Sequence, residues 1–414
     1  MFSDTLLADI RSRFAHVESC PFQGPRVFFE NAGGALTLNS VVETSTKFAS
    51  IPDNQGRDNP AAHALMEIIA TAKADMRDFF GASSGQFFVG ESGTELTFRL
   101  LRAMILGTKP GSVIGSTVEH PASRSAARKW AHVAGKAYIS VPHDDATGLV
   151  TPEAYAARIM PDTRVATILH TSPVTGMGID VAGIAAAIRA EAPDAFIFVD
   201  GIQHASHGLI DIDSYDIDGY VISPYKVFSR HGYGIAWVSD RASKLRLEGL
   251  VGGPEDNWEF GTRDTGAYAT FSDVVSYLDW LGSVVSDASG RRARITAAGQ
   301  AIHEHEHSLT NAMLHGTGNL AGLAELPGIH IVGGVDNLAR EGLVSFWLDG
   351  TPSEDVVAFL NAQGIRTHTR KADHYSGNIL DPLGQPSCIR VSLCHYNTLP
   401  EVAAFLAAMK ELIP

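Results

Sequence analysis

Apolar residues fall in two rhythms along this chain. Through its middle, short continuous runs (RVATIL, AFIFV, GYVI, GIAWV) alternate with alanine-rich stretches such as DVAGIAAAIRAEA. The runs predict strands buried on both faces, and the stretches between them predict helices that cross back over the sheet. Asp180 stands just ahead of one such stretch, where a carboxylate caps free backbone N–H groups. Strand, helix, strand in that order predicts an α/β fold with a mostly parallel sheet, placed at roughly residues 25–275.

After FSDVVSYLDWLGSV the rhythm changes. A long charged helical stretch, RRARITAAGQAIHEHEHSLTNAMLHG, leads into short strands, GIHIVGG and GLVSFWLDG. A helix (SEDVVAFLNAQG), a strand (IRVSLC) and a closing helix (LPEVAAFLAAMKEL) follow. These predict a smaller α+β domain over residues 276–414, with residues 1–24 packing on it.

Ligands of open parallel sheets bind outside the carboxyl ends of the strands. The polar residues that follow the apolar runs are therefore the informative ones. They are Ser92-Gly93-Thr94, His120, Ser172, Asp200 with Gln203, and Ser223 with Lys226. Asp200 ends the run FIFVD, where a carboxylate suits metal binding, proton abstraction or the holding of a protonated ring nitrogen. Lys226 sits on a tight turn between two buried runs, an unusual place for a lysine unless its amine is used as a nucleophile. A lysine for an aldehyde and a carboxylate for a pyridinium nitrogen are what pyridoxal phosphate (PLP) asks of a protein. SGTELTF, at the mouth of a helix, offers free N–H groups and small hydroxyls to the phosphate.

Composition narrows the picture only a little. The formal net charge of -14 argues against nucleic acid and anionic membranes as partners. Three cysteines without a CxxC pair fit a reducing cytoplasm, and the charges within MFSDTLLADIRSRF do not fit a secretory leader. No apolar run reaches the length of a membrane span.

In these motifs the chain resembles the class V aminotransferase and cysteine desulfurase group of fold-type I PLP enzymes. The resemblance runs from VFFENAGGA, with Asn31 toward the substrate, to IRVSLCHYNT, whose Arg390 is expected to clamp the substrate carboxylate. It implies that Gly93 and Thr94 cradle the phosphate together with Ser223. It further implies that His120 of EHPAS stacks on the cofactor ring, Asp200 holds the ring nitrogen and Gln203 meets the ring hydroxyl. SPYK matches the motif in which Lys226 carries the cofactor, with Tyr225 beside it. EFGT is similar to the segment whose threonine, here Thr262, reaches a phosphate across a dimer interface. A homodimer acting on a small amino acid follows from the resemblance.

Two departures change what is expected. Desulfurases of this group carry a nucleophilic cysteine shortly before the arginine segment, but GIRTHTRKADHYSGNILDPL contains none. Pro173 stands where the group usually has an asparagine beside the cofactor. The expected reaction is therefore loss of a β-substituent by a lyase of the C–S type without persulfide formation. Transamination and epimerisation remain alternatives, with a non-catalytic binding protein behind them. HEHEH lacks the HExxH spacing of a metal site, so it predicts a solvated helix face and no metal. Arg366, Arg370 and Lys371 form a basic cluster that is either surface charge or a reader of a distal acidic group.

Overall fold

A computed structural model describes residues 1–246, 248–255 and 257–413. Its centre is a sheet of seven strands: β1 (Gln86–Gly90), β2 (Ser112–Ser116), β3 (Ala137–Val141), β4 (Thr163–Leu169), β5 (Phe196–Asp200), β6 (Gly219–Ile222) and β7 (Gly234–Val238). The spatial order is β1-β7-β6-β5-β4-β2-β3, and β7 alone runs against its neighbours. The continuous apolar runs are the strands covered on both faces, which explains their lack of alternation.

Helices α1 (Asp4–Ser12), α2 (Gly93–Leu106), α3 (Pro121–Val133), α4 (Val181–Glu191), α5 (Thr265–Val285), α6 (Arg291–His315) and α7 (Leu399–Leu412) all begin at a side-chain cap except α6, which starts after Gly290. Ser92 caps α2 by accepting from Glu95 N at 3.1 Å, and Asp180 caps α4 through Gly183 N at 2.8 Å. A complete capping box of Thr398 and Glu401 opens α7. Each such cap is worth about 1 kcal/mol.

The C-terminal part holds a second sheet with a core of its own around Phe346, Ile389, Val391 and Phe405. Its strands are β8 (Ile329–Ile331), β9 (Leu343–Leu348), β10 (His368–Lys371) and β11 (Ser387–Ser392), in the antiparallel order β8-β9-β11-β10. THTRK is too polar to announce a strand, yet it pairs along the edge of β11.

The second sheet docks onto the loop that follows β4. Ser345 Oγ donates to Val174 O at 2.6 Å, and Thr171 Oγ1 donates to Glu341 Oε2 at 2.8 Å. Arg340, 2 % exposed, donates from Nη1 to Thr175 O and Leu343 O and from Nη2 to Val332 O and Gly334 O. With its two terminal nitrogens bonded to carbonyls alone, this guanidinium fastens chain segments from both units to one point.

HEHEH is only partly the solvated face that was expected. His303, Glu304 and His307 are exposed, whereas His305 and Glu306 are buried. His305 stacks on Phe2 at 4.5 Å and receives the Phe2 N–H, which ties the chain start to α6. Glu306 faces inward to His207. No helix among the described residues is long and apolar enough to cross a membrane.

Candidate active site

The polar residues singled out in the sequence gather at the carboxyl end of the central sheet. Asp200 ends β5, and Lys226 closes a single 3₁₀ turn, Pro224–Lys226, directly after β6. His120 caps α3 beyond β2, and Gly93 opens α2 beyond β1. The turn that carries Lys226 is held tightly. Phe228, two residues on, takes φ +64°, a left-handed conformation that costs an L-residue about 1–2 kcal/mol. Its ring packs edge-on against Phe14 and His395, and its carbonyl accepts from Leu38 N at 2.9 Å.

Lys226 is buried, and its Nζ donates to Gln203 Oε1 at 3.1 Å. Burial, with help from Arg390 and Arg370, lowers its pKa to about 7 against the opposing pull of Asp200. A lysine so placed carries a neutral, nucleophilic amine near neutral pH. Because Oε1 accepts from the lysine, the Gln203 amide nitrogen faces His207 Nε2, 3.1 Å away. His207 Nδ1 in turn lies 2.7 Å from Glu306 Oε2. The Cys394 thiol lies against this buried pair, within 4.8 Å of its ligating atoms.

The Asp200 carboxylate is held from two sides. Ser123 Oγ donates to Oδ2 at 2.9 Å and the Ile202 N–H donates to Oδ1 at 3.1 Å. Ser123 was missed in the sequence, although it follows His120 by one helical turn and so faces the same space. The His120 imidazole accepts from Ala122 N at 3.2 Å, and burial lowers its pKa to about 4 in spite of Asp200. Its ring is thus neutral, which suits a flat face laid against an aromatic group. Behind it Glu119 is fully buried, and burial raises its pKa to about 7. Glu119 Oε1 accepts from Thr167 Oγ1 at 2.5 Å and from Ser116 N at 3.2 Å, while Oε2 has no partner among the described residues.

A cradle of small groups lies at the start of α2. A Cβ on Gly93 would overlap the Ser223 hydroxyl, and one on Gly234 would overlap the backbone between Ser92 and Gly93. The two glycines therefore bring Ser223 against the free N–H groups of the first turn, with exposed Thr94 beside them. That concavity suits an anion.

Arg390, on β11, is buried at the other side of the lysine. Its Nη1 donates to Pro173 O at 3.0 Å, so the residue that departs from the usual asparagine meets the arginine through its backbone. Burial and the nearby Arg370 lower the Arg390 pKa to about 9. Tyr225 stacks on His231 at 4.4 Å and lies against Gly34. Asn31 is buried nearby, with its amide already engaged: Nδ2 donates to Ser392 O at 2.8 Å, and Oδ1 accepts from the Tyr396 hydroxyl. Thr262 is not gathered with the rest. It lies exposed on a loop that lines a cavity with Asp53, Gln55 and Arg263.

The basic cluster divides three ways. Arg366 turns to Gln23 and Cys20, and Lys371 pairs with Glu354 at 3.2 Å on the surface. Only Arg370 faces the site, with its Nε donating to Ser376 Oγ at 2.9 Å. Tyr375, unflagged in the sequence, projects from the same loop and lies 6.2 Å from the His120 ring.

A sequence model of the family described as aminotransferase class V matches residues 27–405. The chain belongs to that family. It is 25% identical over 94% of its length to 88% of the cysteine desulfurase-like protein ustD of Aspergillus flavus. It is also 25% identical, over 98% of both chains, to the aminotransferase-like protein FGM3 of Gibberella zeae. Among solved structures, the cysteine desulfurase CsdA of Escherichia coli superposes with a TM-score of 0.80 at 22% identity, covering 100% of both chains. The cysteine desulfurase of Thermococcus onnurineus NA1 gives the same TM-score at 21% identity over 94% of each. This class V protein is a PLP-dependent enzyme of fold type I. The residues present fit the cofactor. A buried lysine amine with a pKa near 7, a fastened carboxylate and a glycine-lined anion cradle converge at one sheet edge.

Proposed function

We propose that this enzyme is a lyase that removes a substituent from the β-carbon of an amino acid without passing it to a protein thiol. The supporting observation is what fills the segment before β11. Tyr375 and Arg370 face the site there, and no cysteine stands in that segment. Cys20, Cys388 and Cys394 are all buried, and burial raises the pKa of the Cys388 thiol that stands opposite Arg370. The relatives named cysteine desulfurase-like lend the same direction.

When bound, PLP supplies an aldehyde that captures the substrate amine and a ring that takes up the electron pair left at Cα. Lys226 would hold that aldehyde, and its Nζ would accept the Cα proton. Gln203 would keep Nζ in place through its Oε1. Asp200, fixed by Ser123 and the Ile202 N–H, would hold the ring nitrogen. His120 would lay a neutral ring against the cofactor and help to exclude water. Arg390 orients the substrate carboxylate with the fork of its guanidinium. The products of such a reaction would be the β-substituent, released with the electron pair of its bond, together with ammonia and a 2-keto acid after water is added.

The exposed position of Thr262 is consistent with a homodimer in which it completes the partner's phosphate site. The three buried, unpaired cysteines support a cytoplasmic enzyme. The deciding experiment follows the visible spectrum of the holoenzyme with a panel of β-substituted amino acids, alongside assays for ammonia and keto acid. Release of both with the starting spectrum restored is expected. Stable conversion to the pyridoxamine form, reversed by a keto acid, would replace this reading with transamination.

A further inference from the structure

The site holds one guanidinium more than a simple amino acid requires. On the antiparallel pair β10 and β11, His368 stands opposite Arg390 and Arg370 opposite Cys388. Residues two apart on a strand share a face, so Arg370 is the diagonal neighbour of Arg390, with side chains roughly 7–8 Å apart at their roots. Ser376 binds the Arg370 Nε, and its guanidinium lies 5.6 Å over the Tyr375 ring. The fork is thereby anchored at its base, and among the described residues its two terminal nitrogens make no hydrogen bond.

Among the described residues, no carboxylate forms an ion pair with Arg370 or Arg390. Two acids act on the pair without forming an ion pair with it, Glu30 on Arg390 and Asp373 on Arg370. Glu30 lies 3.4 Å from His368, Asp373 accepts from Tyr375 N, and Asp200 is held by Ser123 and Ile202. Burial first, and then the charges of Arg390 and Arg370, depress the Lys226 and His368 pKa values; burial and then Arg370 depress that of Arg390, against the opposing pull of Glu30. Like charges held together under burial are unfavourable unless an anion joins them. The anion cradle for the cofactor phosphate is formed at α2 beside Ser223 and makes no use of Arg370.

We propose that Arg370 binds a second anionic group on the substrate side chain, so that the enzyme takes an amino acid whose β-substituent carries a carboxylate, with its α-carboxylate on Arg390 and its distal carboxylate on Arg370. Aspartate and glutamate, which lack a β-leaving group, serve as unreactive probes of that pair of arginines. Two forks on one sheet face set the spacing of two carboxylates and disfavour neutral side chains, because an amide in place of the distal carboxylate leaves the Arg370 charge unpaired. The inference deepens the reading of the preceding subsection and rests on it for the chemistry that follows binding.

The test titrates the holoenzyme with L-aspartate, L-glutamate, L-asparagine, L-glutamine and L-alanine, reading affinity from the perturbed visible spectrum. One of the two acids is expected to bind about tenfold or more tightly than its own amide. Arg370→Gln is expected to bring that ratio close to one, and Arg370→Lys to restore part of it. Arg390→Gln is expected to weaken every ligand, alanine included. Equal affinity for acids and amides in the unmodified enzyme would overturn the proposal. So would an acid preference that survives Arg370→Gln. In either case alanine binding that depends on Arg390 would leave the amino-acid enzyme standing. Failure of every amino acid to perturb the spectrum would overturn both. Should Arg370→Gln not fold, the comparison of acids with amides in the unmodified enzyme decides.

Discussion

Gln203 stands between Lys226 and His207, with one end of its amide 3.1 Å from the lysine amine and the other 3.1 Å from the imidazole. The orientation of an amide is ordinarily ambiguous, but here both neighbours specify it. His207 is itself fixed by Glu306, so a residue on α6 governs which atom of Gln203 meets the lysine. His207→Ala leaves the Glu306 carboxylate buried without its partner and is expected to destabilise the fold by about 3 kcal/mol. Urea unfolding of the two proteins measures this. His207→Gln keeps a hydrogen-bonding group and is expected to lose less.

The depressed pKa of Lys226 gives a pH signature. An ordinary lysine becomes a better nucleophile all the way to pH about 10. With a folded value of about 7, the rate of cofactor uptake by the cofactor-free enzyme is expected to rise through neutral pH and level off by about pH 8. Absorbance changes on mixing with PLP at a series of pH values report this. Arg390→Gln removes a charge that lowers the lysine pKa, so its midpoint is expected to move upward.

Glu119 makes an opposite, destabilising contribution. Burial raises its pKa from the model-peptide range to about 7, so the folded state holds its proton more strongly than the unfolded chain does. Stability from this group is fully present below pH about 4.5 and is lost as pH rises through about 7, by as much as about 3 kcal/mol. Glu119→Gln keeps an acceptor for Thr167 and Ser116 without the charge. Its melting temperature relative to the unmodified protein is expected to be higher by several degrees at pH 8 than at pH 5, as scanning calorimetry would show.

Thr262 tests the dimer. Thr262→Val is expected to leave folding intact and to weaken PLP binding by about tenfold, the worth of one hydrogen bond to a charged group. Equilibrium dialysis of PLP measures the affinity, and sedimentation gives the oligomeric state of the same samples. A monomer with unchanged affinity would remove this residue from the cofactor site.

Much of the site was legible because its signals are local. Lys226 and Asp200 each follow an apolar run that can only be a buried strand, and position at the end of such a strand is what brings them together. Ser92-Gly93-Thr94 reads by itself as a helix cap, and only its order with Asp200 and Lys226 pointed to a phosphate cradle. The rest depended on partners far along the chain. Arg370 lies on an edge strand whose polar residues carry no strand period, so its face could not be chosen from spacing. Glu306 read as part of a charged helix face, yet its partner His207 comes from the turn beyond β5. Nothing within HEHEH distinguishes the buried glutamate from its exposed neighbours. Asn31 matched a motif, but its engaged amide shows a structural task that no motif announces.

Arg340 ties the loop after β4 to the second sheet through four carbonyls. Lys226 belongs to the first of these units and Arg390 to the second, so in the roles proposed for them a substrate held by Arg390 and reacting at Lys226 would span the joint between them. The angle at which its bonds met the cofactor would then be a mechanical property of that joint. Loosening it would blur the alignment that selects one bond for cleavage over its neighbours. Reaction fidelity would thus be written partly in Arg340, a side chain away from both groups.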